Sequence, residues 1–247
     1  GAETLDFWLG KNDYWADAVD YRWGWVYMHL AGGRLSVSAA STSPSSPGDC
    51  LRLSNGNRTM ASASWEMKGP GSEYGCASDS ECSPLGMLLT DTFFGTADGS
   101  FTVSAVPFAA YDLIVYYRMN EEHSFNISSQ QCTTGRVPTT VRPLANVNGS
   151  FVTALYPSPS NYLRLSGCSG ENVTVRFTSG GEQTNHRKSM AGLQIVEAGV
   201  SSTAPPRSIG LNIAGKTAHD TTGPIFIPGN VETGVVRQRN WVNLVAP

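Results

Sequence analysis

An all-β fold, an antiparallel sandwich with very little helix, is what this 247-residue sequence predicts. Three observations lead there. Turn formers are abundant, with 26 glycines and 14 prolines spread along the chain. Between them, apolar and polar residues alternate with the two-residue period of half-buried strands. No segment keeps a 3.6-residue period over three turns, so helix is expected to be scarce.

The strand-like runs follow one another closely. Leu51-Arg52-Leu53 and Ala63-Ser64-Trp65-Glu66-Met67 alternate, and Ser100 to Val106 alternates apolar with hydroxyl residues. Tyr111 to Tyr117 is aromatic, β-branched and almost continuously apolar, the mark of a central strand buried on both faces. Asn161 to Ser166 and Asn172 to Phe177 alternate again, with Gly167-Cys168-Ser169-Gly170 read as the turn between them. Met190 to Val196 closes the series. Two Ser/Pro-rich stretches, Ala39–Gly48 and Ala198–Arg207, bury little and read as a long loop and a linker. They divide the chain into an aromatic-rich N-terminal segment (1–40), a main sandwich (50–197) and a C-terminal segment (208–247).

Composition narrows the function classes. Charged residues make up 15%, against roughly 25% in ordinary soluble domains. The net charge of -3, without any Lys/Arg block, argues against a sequence-independent grip on nucleic-acid phosphates. No run approaches the roughly 20 apolar residues of a membrane span, so no membrane insertion is expected. The N-terminus lacks a basic region followed by an apolar stretch, so any signal peptide is expected to have been removed or never present.

Sequons and cysteines point to a secreted, extracellular glycoprotein. Four Asn-x-Ser/Thr acceptors occur, at Asn57, Asn126, Asn148 and Asn172. The five cysteines are Cys50, Cys76, Cys82, Cys132 and Cys168. None forms a Cys-x-x-Cys pair or has a histidine at zinc-ligand spacing, so disulfides are the expectation. Cys76 and Cys82 suit a small closed loop, or each reaches a distant partner; Cys132 and Cys168 are candidates for a further bridge. Five is odd, so one thiol stays free, pairs with another chain, or has its partner beyond this sequence.

Several runs carry a resemblance. Leu85-Gly86-Met87-Leu88-Leu89 leads to Gly99–Ser104, then Val106-Pro107-Phe108-Ala109-Ala110-Tyr111-Asp112-Leu113-Ile114-Val115-Tyr116-Tyr117, then Asn161–Gly167, and finally Ala191-Gly192-Leu193-Gln194-Ile195-Val196. Over residues 50–197 the series resembles galactose-binding-domain-like jelly rolls of large secreted proteins. That family opens with an Ile-Gly-Val-Asn-Phe strand, followed later by Ala-Gly-Val-Val-x-Gln-x-Asn-Trp-Asn-Asn-Leu. Here the similar elements are Ser208-Ile209-Gly210-Leu211-Asn212-Ile213 and Thr233 to Leu244, and they come after the closing strand. Either the domain is circularly permuted, or the segment opens a second domain, or it completes a neighbouring subunit by strand donation. The first and third bury its apolar residues, and closure within the chain is the expectation.

The N-terminal Leu5-Asp6-Phe7-Trp8-Leu9-Gly10-Lys11-Asn12-Asp13-Tyr14-Trp15, with Gly32 to Val37, resembles the opening strands of the β-supersandwich in some secreted glycoside hydrolases. The helical barrel with their catalytic carboxylates is absent from this sequence.

Candidate chemistry is sparse. Glu121-Glu122-His123 reads as a solvated hairpin tip, and no Gly-x-Ser-x-Gly nucleophile elbow occurs. No cofactor is expected. Jelly rolls of this kind often hold a structural calcium, and Asp17 with Asp20, or Asp79 with Glu81, are the acidic pairs at hand; no acidic loop has the dense spacing of a dedicated site. The aromatics are more informative. Trp8, Trp15, Tyr21, Trp23, Trp25 and Tyr27 crowd one segment. Indole and phenol faces stack on the apolar face of a sugar ring while polar groups fix its hydroxyls, and Tyr21, Arg22, Trp23 and Trp25 have that composition. Alternate members facing a strand's core would explain the same pattern. The sequence therefore reads as a non-catalytic module binding glycans of a cell wall or extracellular matrix. The alternatives are a structural subunit that self-assembles through residues 208–244, and an accessory domain of a glycoside hydrolase.

Overall fold

The computed structural model describes residues 33–35, 51–67, 71–72, 88–89, 93–95, 98–118, 123–144, 150–180, 188–199, 206–214, 227 and 230–245. Strands form nearly all of the regular structure, in two main sheets and a minor one. The larger sheet has the order β1 (Gly33–Leu35), β2 (Ser62–Met67), β5 (Gly99–Ser104), β11 (Val173–Ser179), β7 (Phe125–Ser128), β8 (Thr139–Pro143) and β9 (Pro159–Ser160). Its pairs are antiparallel except β8–β9. The five-stranded sheet runs β10 (Tyr162–Ser169), β6 (Ala110–Tyr116), β13 (Gly192–Glu197), β14 (Ser208–Ala214) and β15 (Val242–Val245). Only β14–β15 is parallel there. β12 (Lys188–Met190), β4 (Phe93–Gly95) and β3 (Gly71–Ser72) make the small third sheet. The described residues thus form an all-β, antiparallel-rich sandwich, and Leu88 and Leu89 are the two helical residues among them.

Alternation decides which side chains enter the core. Phe101 and Val103 of β5, Val173, Val175 and Phe177 of β11, and Phe125 and Ile127 of β7 point at the facing sheet. They meet Leu113 and Val115 of β6, Leu193 and Ile195 of β13, and Leu163 and Leu165 of β10. The run from Tyr111 to Tyr117 is apolar on both faces because both faces are covered. Tyr111, Leu113, Val115 and Tyr117 enter the inter-sheet core, whereas Ile114 and Tyr116 enter a second apolar layer with Leu88, Leu89, Ala191, Val196, Ile227 and Trp241.

Two boundaries differ from the sequence expectation, each for a physical reason. The turn read at Gly167–Gly170 lies later, because β10 continues to Ser169 through a bulge between Leu165 and Cys168. Cys168 pairs with Tyr111 and is tied by a disulfide to Cys132, both sulfurs buried. Closing a loop across 36 residues restricts the unfolded chain and is worth about 2–4 kcal/mol. The run Met190–Val196 is divided at Ala191, with Met190 in the small sheet and Gly192 onward in the five-stranded one. Cys50, Cys76 and Cys82 lie outside the described residues.

Three core tyrosines give the fold an alkaline limit. Burial pushes the Tyr111 phenol up to about 12 and raises Tyr116 and Tyr117 as well. An unfolded tyrosine ionises near 10. Above that pH the unfolded chain releases protons that the folded chain keeps, so stability is fully present below it and falls as pH rises through the folded values. Each tyrosine contributes a slope of about 1.4 kcal/mol per pH unit. Urea unfolding at stepped pH is expected to be flat, as far as these groups are concerned, until about pH 10 and then to fall steeply, with the phenolate absorbance of these three appearing only as the chain unfolds. Ionisation of these three while the protein stays folded would contradict the packing.

Candidate functional site

The segment the sequence singles out, residues 208–244, contributes β14 and β15 to the five-stranded sheet of its own chain. β14 pairs along β13 from Gly192↔Asn212 to Val196↔Ser208, and its other edge carries β15. Leu53 bridges Ile209 on that edge, with Ser54 N–H donating to Ser208 O at 2.7 Å. Ile209, Leu211 and Ile213 enter the main core together with Val242. Ahead of β15, residues 230–241 lie on the outer face of the sheet, where Trp241 is buried and Val231, Val235 and Val236 are packed half-buried. This stretch is a clasp.

The clasp is held by a closed polar network. The Tyr116 hydroxyl accepts Val235 N–H at 2.8 Å and donates to Gln194 Oε1 at 2.9 Å. Gln194 Nε2 donates to Val236 O at 2.6 Å and to Gln238 Oε1 at 2.8 Å. Gln194 Oε1 also accepts Val236 N–H at 3.4 Å, so both amide hydrogens and both acceptor positions of Gln194 are engaged. Trp241 Nε1 donates to Gln238 O at 3.2 Å.

The residues of the Thr233–Leu244 run now have individual roles. Thr233 and Gln238 close a turn by paired backbone bonds, with Gly234 at φ +102°, a conformation few side chains tolerate. Gly210 leaves room for the clasp: a Cβ there would lie 2.3 Å from Gln238 Nε2 and 2.7 Å from the Trp241 ring. Asn240 takes the left-handed φ of +57° and donates from Nδ2 to Ser54 O at 3.0 Å. The pattern is a docking device for this chain's own backbone: Gln238, Asn240 and the Trp241 indole bond within the chain, while Arg237 and Arg239 are exposed.

The second candidate surface is the outer face of the seven-stranded sheet. Strand register sets its side chains in rows. Ser64, Thr102 and Thr174 make one row, with the two threonine hydroxyls 2.8 Å apart. Glu66, Ser100, Arg176 and Ser128 make the next, with Glu66 and Arg176 exposed at either side of Ser100. Thr178, Asn126 and Thr140 make a third, where Thr140 Oγ1 donates to Asn126 Oδ1 at 2.8 Å. Every one of these residues is a hydroxyl, an amide or a charge. The alternation that produces this face is readable from sequence, but the juxtaposition of strands as distant as β2 and β11 is not.

The candidate residues Tyr21, Arg22, Trp23 and Trp25 lie outside the described residues, as do Glu121, Glu122, the acidic pairs Asp17/Asp20 and Asp79/Glu81, and the sequon Asn148. β1, eight residues after Trp25, pairs with β2 at the edge of the seven-stranded sheet, from Gly33↔Trp65 to Leu35↔Ala63. Asn57 and Asn172 are exposed, and Asn126 is half-buried. His123 is half-buried. Among the described residues no three His, Cys, Asp or Glu side chains are grouped to hold a metal ion. Tyr116, Gln194 and Gln238 were not singled out from sequence; the signal was a glutamine within the otherwise apolar Leu193–Val196 run. The chain matches no protein-family model, no curated protein and no solved structure.

Proposed function

We propose that the chain is a non-catalytic, secreted glycoprotein module that binds carbohydrate of a cell wall or extracellular matrix. The observation that carries this reading is the seven-stranded face, with rows of hydroxyl, amide and charged side chains, and the aromatic-rich segment that joins its edge through β1. A glycan needs both: donors and acceptors for its hydroxyls, and a flat apolar ring for the carbon face of the sugar. The buried Cys132–Cys168 disulfide suits an oxidising compartment. The clasp, whose buried Tyr116, Gln194, Gln238 and Trp241 groups already bond one another, is assigned to folding and not to ligand.

The test is binding of the intact chain to immobilised cell-wall and matrix polysaccharides. Binding is expected, and Trp23→Ala or Trp25→Ala should weaken it at least about tenfold, equivalent to 1.4 kcal/mol, with the far-ultraviolet spectrum unchanged. Arg176→Ala should weaken it less, since an exposed side chain loses mainly hydrogen bonds that water replaces. Absence of binding, or binding indifferent to all three substitutions, would sink the proposal. The rival reading is a structural subunit assembled by strand donation. It is favoured by one feature: the four core side chains of the C-terminal segment lie beyond the Ala198–Arg207 stretch, so the groove they fill would accept the same segment from another copy.

A further inference from the structure

The three described sequons are not equivalent. Asn57 sits on the turn after Leu53, and the turn uses only its backbone: its N–H donates to Asn55 Oδ1 at 3.0 Å, and its carbonyl accepts from Leu53 N–H at 2.8 Å. Its side chain is exposed. Asn172 is exposed too, in the reversal between β10 and β11 beside Gly170 at φ +93°. Asn126 is different. It lies within β7, paired on one side with β11 and on the other with β8. Its Nδ2 donates to Ser179 O at 3.0 Å and its Oδ1 accepts from Thr140 Oγ1 at 2.8 Å. The hydroxyl residue of its sequon, Ser128, is 6% exposed.

We infer that, of the three described sequons, Asn57 and Asn172 carry N-glycans in the folded protein and Asn126 stays unmodified, keeping the seven-stranded face bare. The inference rests on the secretory reading above. In the transfer, C1 of the first sugar leaves a lipid-linked diphosphate and bonds to Nδ2, which gives up one proton; the amide keeps its other hydrogen. At Asn57 and Asn172 this replaces a hydrogen that faces water. At Asn126 it places a sugar on an amide held between Thr178 and Thr140, where strand pairing leaves the group engaged on both its oxygen and its nitrogen. A sugar there crowds the flanking Thr178 and Thr140 on a half-buried position, so nascent chains modified at Asn126 close β7 against β8 and β11 at a cost and the folded secreted population is depleted of them.

The experiment is site-resolved glycopeptide mass spectrometry on the full chain secreted from a eukaryotic host, with intact masses of variants. Asn57→Gln and Asn172→Gln should each remove one glycan from the secreted protein. Asn126→Gln should leave the glycan count unchanged. Because that variant also disturbs the Ser179 and Thr140 bonds, Ser128→Ala provides the second arm: it removes the sequon, leaves the Asn126 amide in place, and should likewise leave the count unchanged. A glycan found at Asn126 in folded protein, or a bare Asn57 or Asn172, overturns the inference. Polysaccharide binding measured on the same samples keeps this failure separate from failure of the binding reading, which would appear as no retention whatever the glycan pattern.

Discussion

Truncation after Gly199 is expected to leave a chain without a cooperative unfolding transition. The deleted part carries Ile209, Leu211, Ile213 and Val242, all buried in the main core. At about 1.5–3 kcal/mol for each fully buried aliphatic side chain, their loss removes roughly 6–12 kcal/mol. The total stability of a domain is about 5–15 kcal/mol. The cut also removes Ile227, Trp241 and the half-buried valines from the layer over Ile114, Tyr116 and Val196, and it takes Val236 and Gln238 away from Gln194. Urea titration followed by near-ultraviolet circular dichroism is the check, and a hydrophobic dye should bind the truncated chain strongly. A truncated chain that unfolds sharply, at a midpoint near that of the intact one, would mean that the clasp is an appendage.

Trp241→Ala is the largest effect expected from a single substitution. Trp241 is 4% exposed, stands edge-on to Tyr116 with ring centroids 6.1 Å apart, and roofs Gly210. Removing so large a buried ring costs about 3–5 kcal/mol. The cost belongs at the upper end if the Gln238 turn, which Trp241 Nε1 helps to hold, comes loose as well. Gly210→Ala attacks the same contact from below by crowding it, with an expected cost of about 1–3 kcal/mol. If both act on one contact, part of the Gly210→Ala penalty should vanish in the Trp241→Ala background, because the added methyl no longer meets the ring. Urea midpoints for the two single variants and the double variant decide this. A Trp241→Ala cost below about 1 kcal/mol would show that the ring is not a structural roof.

Much of the sandwich is legible in the sequence because burial is written in alternation. Phe101-Thr102-Val103 and Val173-Thr174-Val175 place one residue type on each face, and the near-continuous Tyr111–Tyr117 run correctly signals a strand covered on both sides. Short polar strands are less readable. Phe125-Asn126-Ile127-Ser128 is four residues long, too brief for a period to stand out, yet it joins β11 to β8. Sheet order is unreadable for another reason: β11 lies between β5 and β7 because of pairing across long separations, which no local pattern encodes. The clasp shows the same limit. Gln194 and Gln238 are 44 residues apart, and neither looks buried until the fold brings them together. The Ser208–Ile213 and Thr233–Leu244 runs stood out through resemblance, while their actual work, filling the edge of β13 and roofing β6, required the register.

β14 and β15 close the sandwich to which they are covalently joined. Multi-angle light scattering on the intact chain, across a concentration series and after glycan removal, tests this most directly. The expected result is a single species with the protein mass of one chain, 26.4 kDa, at every concentration. Dimers or longer multimers that persist on dilution, and that are abolished by deleting residues 208–244, would contradict it: the C-terminal strands would then be exchanged between copies, and the structural-subunit reading would replace the glycan-binding one.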